Sequence, residues 1–139
     1  IVHHHGGVGM VAYHDGCVLL VKQYRYSIGD YTLEIPAGKL EFGEDPMVSA
    51  IRELEEETGY KAHDVSKIST ILATPGYCNE HLHIYLTKSL TKVENPRLGD
   101  EDEDLEIAWY PLETCMKMIQ DVQIVDAKTV IGILYLKAQ

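Results

Sequence analysis

No stretch of the sequence is apolar for long enough to span a membrane, and none has the order of a secretory leader. A cytoplasmic protein with no membrane partner is the expectation. Cysteine is scarce. Cys17, Cys78 and Cys115 are far apart, odd in number and without metal-ligand spacing, which argues against a disulfide framework and for reduced thiols. Positive charge is short as well: 12 Lys and Arg stand against 22 Asp and Glu, a formal charge of −10. Such a chain is a poor electrostatic partner for nucleic acid. With no internal repeat, linker or low-complexity tract, residues 1–139 read as one domain, large enough to bury a core. An initiator methionine is also missing. The chain opens on Ile1, and a native N-terminal segment is expected to precede it; His3-His4-His5 runs straight into an apolar, Gly-rich stretch and reads as native sequence rather than as a tag.

What is present is acidity in two places: residues 41–57 contribute seven acids and residues 100–106 six. The first run reads as a helix. Pro46 suits a first turn, where its missing N–H costs nothing, and Gly59 suits the stop, because glycine accepts the left-handed conformation there. Met47, Ala50, Ile51, Leu54 and Thr58 recur at helical spacing and are expected to face the core. Glu53, Glu56 and Glu57 then share one patch at i, i+3 and i+4. Like charges so spaced destabilise a bare helix. A solvated acidic face is the usual reading of such a run; a cluster of hard oxygen ligands for Mg²⁺ or Mn²⁺ is the functional one.

The flanking pattern decides between them. Gly38, five residues, Glu44, seven residues, then Arg52-Glu53-Leu54-x-Glu56-Glu57-x-Gly59 resembles the signature of the Nudix hydrolases. These fixed positions, each of ordinary frequency, make a chance match rarer than about one in ten million. Tyr60, where the family usually carries an aliphatic residue, departs from the pattern and is expected to be a packing variant.

Around this helix the chain alternates strands and turns. Residues 8–13 and 18–24 are apolar and β-branched, and His14-Asp15-Gly16 between them signals a hairpin. Strands are expected at 31–35, 65–73, 81–87 and 107–110, and helices at 112–120 and 126–137, the last with Val130, Ile131, Leu134 and Leu136 as its apolar residues. His81 and His83 share a strand face, but no third zinc ligand has suitable spacing, so sheet packing is the better reading. The second acidic run, Asp100 to Glu106, has three readings. It can be a solvated loop. A calcium loop requires glycine at its sixth position, where Leu105 stands, so that reading fails. The third is a catalytic loop and rests on resemblance.

The Arg25 region, the run Leu33-Glu34-Ile35-Pro36-Ala37-Gly38-Lys39-Leu40-Glu41, Pro75 sixteen residues after Gly59, and Asp126-Ala127-Lys128-Thr129 look like the ADP-ribose pyrophosphatase branch of the family. The resemblance covers nearly the whole chain. It implies an α+β fold, an α/β/α sandwich with a mixed β-sheet, and Mg²⁺-dependent hydrolysis of ADP-ribose to AMP and ribose 5-phosphate, with Mn²⁺ as a substitute and two or more ions per site. By resemblance the Ala37 carbonyl, Glu53, Glu56, Glu57 and Glu103 hold the metals, Glu101 is the base that activates water, Arg25 meets the substrate diphosphate and Glu80 a substrate ribose. Arg52, four residues before Glu56, is expected to orient it by a charge-assisted hydrogen bond, and Glu44 to brace the helix N-terminus through its dipole. The resemblance also implies a homodimer. Two alternatives share the fold: a pyrophosphatase for a nucleotide sugar or an oxidised nucleotide, and a non-catalytic ADP-ribose sensor. Sensors typically lose the box glutamates, and this chain keeps them.

Overall fold

The computed structural model describes residues 6–94 and 105–139. The N-terminal hairpin joins β1 (Gly7–His14) to β2 (Cys17–Arg25). Its two-residue turn has positive φ at both Asp15 (50°) and Gly16 (76°), the twist that best joins two antiparallel strands. β3 (Asp30–Glu34) returns along β2, and after Ile35 and Pro36 comes β4 (Ala37–Lys39). The strand expected at 31–35 is followed within three residues by a second, unexpected one, opened by Ala37 and Gly38. β1 pairs with β2 only at Tyr13 and His14, and β4 takes the vacated edge at Gly7–Gly9. Met10 N donates to Pro36 O across the split at 2.9 Å. The Ala37-Gly38 peptide is thereby set inside the sheet.

Next come α1 (Pro46–Thr58), β5 (Tyr60–Leu72), β6 (His81–Lys92), β7 (Glu106–Pro111), α2 (Leu112–Gln120) and α3 (Ala127–Ala138). β5 starts several residues before its expected beginning and β6 runs several past its expected end, because the two pair with each other along nearly their full length. β6 lies parallel to β1, so the sheet, in the order β3-β2-β1-β6-β5 with β7 on β2, is mixed. β1 is buried on both faces. Val8, Met10 and Ala12 pack with Ala50 and Leu54 of α1, while Val11 packs with Ile133 and Leu136 of α3 and Cys115 of α2. Helices therefore cover both faces, the expected α/β/α sandwich. Burial pushes the Cys115 thiol up to about 11, and all three cysteines are free. Among the described residues no helix is long and apolar enough to cross a membrane.

Two expected core contacts fall elsewhere. Met47 lies on the exposed shoulder of α1, whereas Ser49, two residues on, is fully buried. On α3 the buried stripe is Thr129, Gly132, Ile133 and Leu136, with Leu134 outside it. Gly132 lets α3 settle onto β1: a Cβ there would meet Val11 Cγ2 at 2.5 Å. Tyr60 begins β5 and stacks edge-on against Trp109, ring centroids 5.6 Å apart, and Trp109 Nε1 donates to its hydroxyl at 3.3 Å. Asp45 caps α1, its carboxylate accepting from Val48 N at 3.1 Å. Asp45→Ala should cost about 1 kcal/mol, read as a lowered midpoint in urea unfolding.

Candidate active site

The site is built on α1. Gly59, at φ 78°, ends the helix and donates to Glu55 O at 2.8 Å, as its sequence position predicts. On the helix face Arg52 stands between acids. Its Nη1 donates to Glu53 Oε1 and to both oxygens of Glu56, all at 3.1 Å. Its Nε and Nη2 donate to Glu44 Oε2 at 3.2 and 2.9 Å. Burial works against the guanidinium charge, but Glu44 and Glu56 outweigh it and hold Arg52 above its ordinary value. The repulsion expected of the acidic patch is thus relieved by one fork of donors. Glu44 lies just before the N-cap Asp45, and its carboxylate pairs with Arg52.

Two glutamates tie the helix to β4. Glu57 Oε1 accepts from Ala37 N at 3.0 Å. The Glu53 carboxylate lies over Gly38, so close that a Cβ at this position would collide with it. Gly38 has no positive φ; it is there to leave room. Gly38→Ala should therefore displace Glu53 and cost about 1–3 kcal/mol through overpacking, seen as a fall in Tm accompanied by weaker Mg²⁺ binding in isothermal titration.

A second network joins β2, β3 and α3. Glu34 is buried, with its side chain 3% exposed. Arg25 Nε and Nη2 donate to its two oxygens, both at 2.8 Å, Lys128 Nζ donates to Oε1 at 2.8 Å, and Thr32 Oγ1 donates to Oε2 at 2.5 Å. Burial alone would raise the carboxyl, but Arg25, Lys128 and Thr32 together hold it down at about 2. Glu34 in turn raises Arg25. Burial lowers Lys128, and Asp126 and Glu34 more than compensate. The first turn of α3 is docked on the same segment: Ile35 N donates to Thr129 Oγ1 at 2.9 Å, and Thr129 Oγ1 donates to Asp126 Oδ2 at 2.6 Å.

The two networks meet at a cleft of about 400 Å³ whose lining includes Arg25, Ala37, Gly38, Glu57, Glu80 and Lys128. Of the residues singled out from sequence, Arg25, Ala37, Glu57 and Glu80 come together here, while Glu53, Glu56 and Arg52 adjoin on the same helix, outside the lining. Glu101 and Glu103 lie outside the described residues. Glu34 and Lys128 were not assigned a role from sequence, although a charged residue between Leu33 and Ile35 in an apolar strand is a signal that something pairs with it. A larger hollow, about 870 Å³, is walled by Lys22, Tyr24, Tyr26 and Tyr31; it holds none of the signature residues.

The donors present suit a hard cation: carboxylate oxygens of Glu53, Glu56 and Glu57, with the Ala37 peptide at hand and a glycine keeping the approach open. Among the described residues no three Asp, Glu, His or Cys side chains converge as a ready site. Two of the three glutamates are instead gathered by Arg52. The donor set fits Mg²⁺ or Mn²⁺ in chemical type.

A sequence model described as the NUDIX domain matches residues 3–130. The chain belongs to the Nudix family. Its similarity runs most strongly toward ADP-ribose pyrophosphatases. A Bacillus subtilis protein of that name is 43% identical over 138 residues, 99% of this chain and 75% of the relative. The methanol dehydrogenase activator of Bacillus methanolicus is 41% identical over 140 residues, 100% of this chain and 76% of the relative. A solved structure described as an ADP compounds hydrolase superposes with a TM-score of 0.85 at 26% identity, covering 96% of this chain and 71% of that one. As a Nudix domain, the chain carries its signature on β4 and α1, where the Ala37-Gly38 peptide meets Glu53 and Glu57.

Proposed function

We propose that this protein hydrolyses the diphosphate bond of ADP-ribose, giving AMP and ribose 5-phosphate, in a reaction that requires Mg²⁺ or Mn²⁺. The observation that carries the reading is the meeting of Arg25, Glu57 and the Ala37-Gly38 peptide in one cleft. ADP-ribose pyrophosphatases from Bacillus subtilis and Mycobacterium tuberculosis, similar over 99% of the chain, support the substrate.

Glu53, Glu56 and Glu57, with the Ala37 carbonyl and Glu103, are the residues that would hold two or more ions. Bound divalent cations neutralise the diphosphate and lower the barrier to attack on phosphorus. The chain's own residues bind and orient. Arg25 presents to the diphosphate the edge of its guanidinium that Glu34 does not occupy. Arg52 fixes Glu56 and Glu53 in orientation. Glu101 takes a proton from the attacking water as its oxygen bonds to phosphorus and the bridging P–O bond breaks, the electron pair leaving with the departing phosphate. Glu80 meets a ribose hydroxyl. A homodimer would complete the adenine end of the site.

An assay with ADP-ribose, GDP-mannose and 8-oxo-dGTP, with and without Mg²⁺, tests the reading. AMP release from ADP-ribose only with Mg²⁺, at a kcat/KM at least about tenfold above the other two, is the expected result. Faster turnover of either competitor would move the substrate assignment to it. Binding of ADP-ribose without AMP release would favour a sensor.

A further inference from the structure

Glu34 holds two cations, and the reading above uses one of them. We propose that Lys128, in the first turn of α3, is a second phosphate-binding residue of the cleft, sharing with Arg25 the Glu34 carboxylate as a common anchor. The proposal rests on the diphosphate reading of the site.

Lys128 and Arg25 approach Glu34 from different elements, 2.8 Å from the same oxygen in each case, and both line the cleft with Ala37 and Glu57. Glu34 by itself does not call for both, although with Asp126 the cluster holds two carboxylates against the two cations. Arg25 alone meets both oxygens of Glu34 in a fork, and Thr32 adds a third donor. A lysine side chain only 12% exposed is costly to bury as a charged group, and methionine would fill the same space without that cost. Asp126 also contacts the amine, at 3.0 and 3.1 Å, but that carboxylate is already engaged at the start of α3 by Thr129 N and Oγ1. An ammonium group has three donors. Glu34 and Asp126 take two of them, and the third is left for the cleft. The lysine stem runs past Gly9 of β1, where a Cβ would lie 3.7 Å from Lys128 Cδ, in ordinary contact, and would be tight only against Ile35 Cδ1 at 3.0 Å. Arg25 has three N–H groups beyond the two given to Glu34, and two lie along one guanidinium edge. Two cations aimed from one buried carboxylate suit a diphosphate, whose charges sit on adjacent phosphorus atoms.

The test is equilibrium titration with ADP in Mg²⁺, because ADP carries the diphosphate whatever group the enzyme releases. Lys128→Met should weaken ADP binding at least about tenfold, as expected for loss of a charged hydrogen bond. Lys128→Arg should stay within about threefold of the wild type. In turnover, Lys128→Met should raise KM more than it lowers kcat, and KM should become less sensitive to salt. If Lys128→Met does not fold by circular dichroism, Lys128→Gln, which can still donate to Glu34, takes its place with the same expected loss. A folded Lys128→Met or Lys128→Gln that binds ADP as tightly as wild type overturns the proposal, as does a wild type that does not bind ADP. Tight ADP binding by wild type, weakened in the variant, with no hydrolysis of ADP-ribose, would leave the proposal standing and overturn the substrate reading instead.

Discussion

Glu57→Gln should reduce Mg²⁺-dependent AMP release from ADP-ribose by at least about 10²–10³-fold, the scale of losing one preorganised electrostatic contact at a reacting phosphate. The fold should survive. Glu57 Oε1 accepts from Ala37 N at 3.0 Å, and a glutamine oxygen can accept the same bond. What disappears is the negative charge beside the Ala37-Gly38 peptide. Steady-state turnover over a Mg²⁺ series, alongside a thermal melt, separates the two effects. A variant that melts near the wild-type temperature but has lost turnover fits a metal ligand. Turnover within a few-fold of wild type would remove Glu57 from the chemistry and take the metal-dependent account with it.

The second large effect is on stability. Glu34→Gln should cost on the order of 3 kcal/mol at pH 7. The folded carboxyl is held at about 2, below its ordinary value of 4.5, chiefly against burial by Arg25, Lys128 and Thr32. A depressed carboxyl stabilises the folded state above its unfolded pKa, and that contribution is lost as pH falls through the folded pKa. The wild type should therefore lose stability steadily from about pH 4.5 to about pH 2. The glutamine variant should show a flatter dependence over that interval, because the group that titrates is gone. Urea unfolding at pH 7, 4 and 2.5 reads both quantities. Equal slopes for the two proteins would show that Arg25 and Lys128 do not set the ionisation of Glu34. The cost at neutral pH has a second source, since Arg25 and Lys128 would keep their charges beside a neutral amide.

The local signals were legible because each acts within a few residues. Asp15-Gly16 makes its turn by backbone conformation alone. Pro46 and Gly59 set the ends of α1, and the i, i+4 geometry brings Arg52 to Glu56, all features of one helix. Placement in the core was less secure. Met47 and Leu134 satisfy helical periodicity yet lie exposed, since which arc of a helix is covered depends on the sheet it meets. For Glu44 the structure adds a partner that helix position alone did not point to, the Arg52 side chain eight residues on.

By itself the sequence determined the signature helix, the family it belongs to, the alternation of strands and helices, and the side chains available as cation ligands, because spacing along one element settles all of these. Only the tertiary structure decided that β4 would fill the gap beside β1, that Glu53 would rest on Gly38, and that Lys128 would reach Glu34 across 94 positions of chain. Those contacts join residues with no local relation. They exist because a parallel β1–β6 pair, covered on both faces by helices, fixes where distant segments must lie.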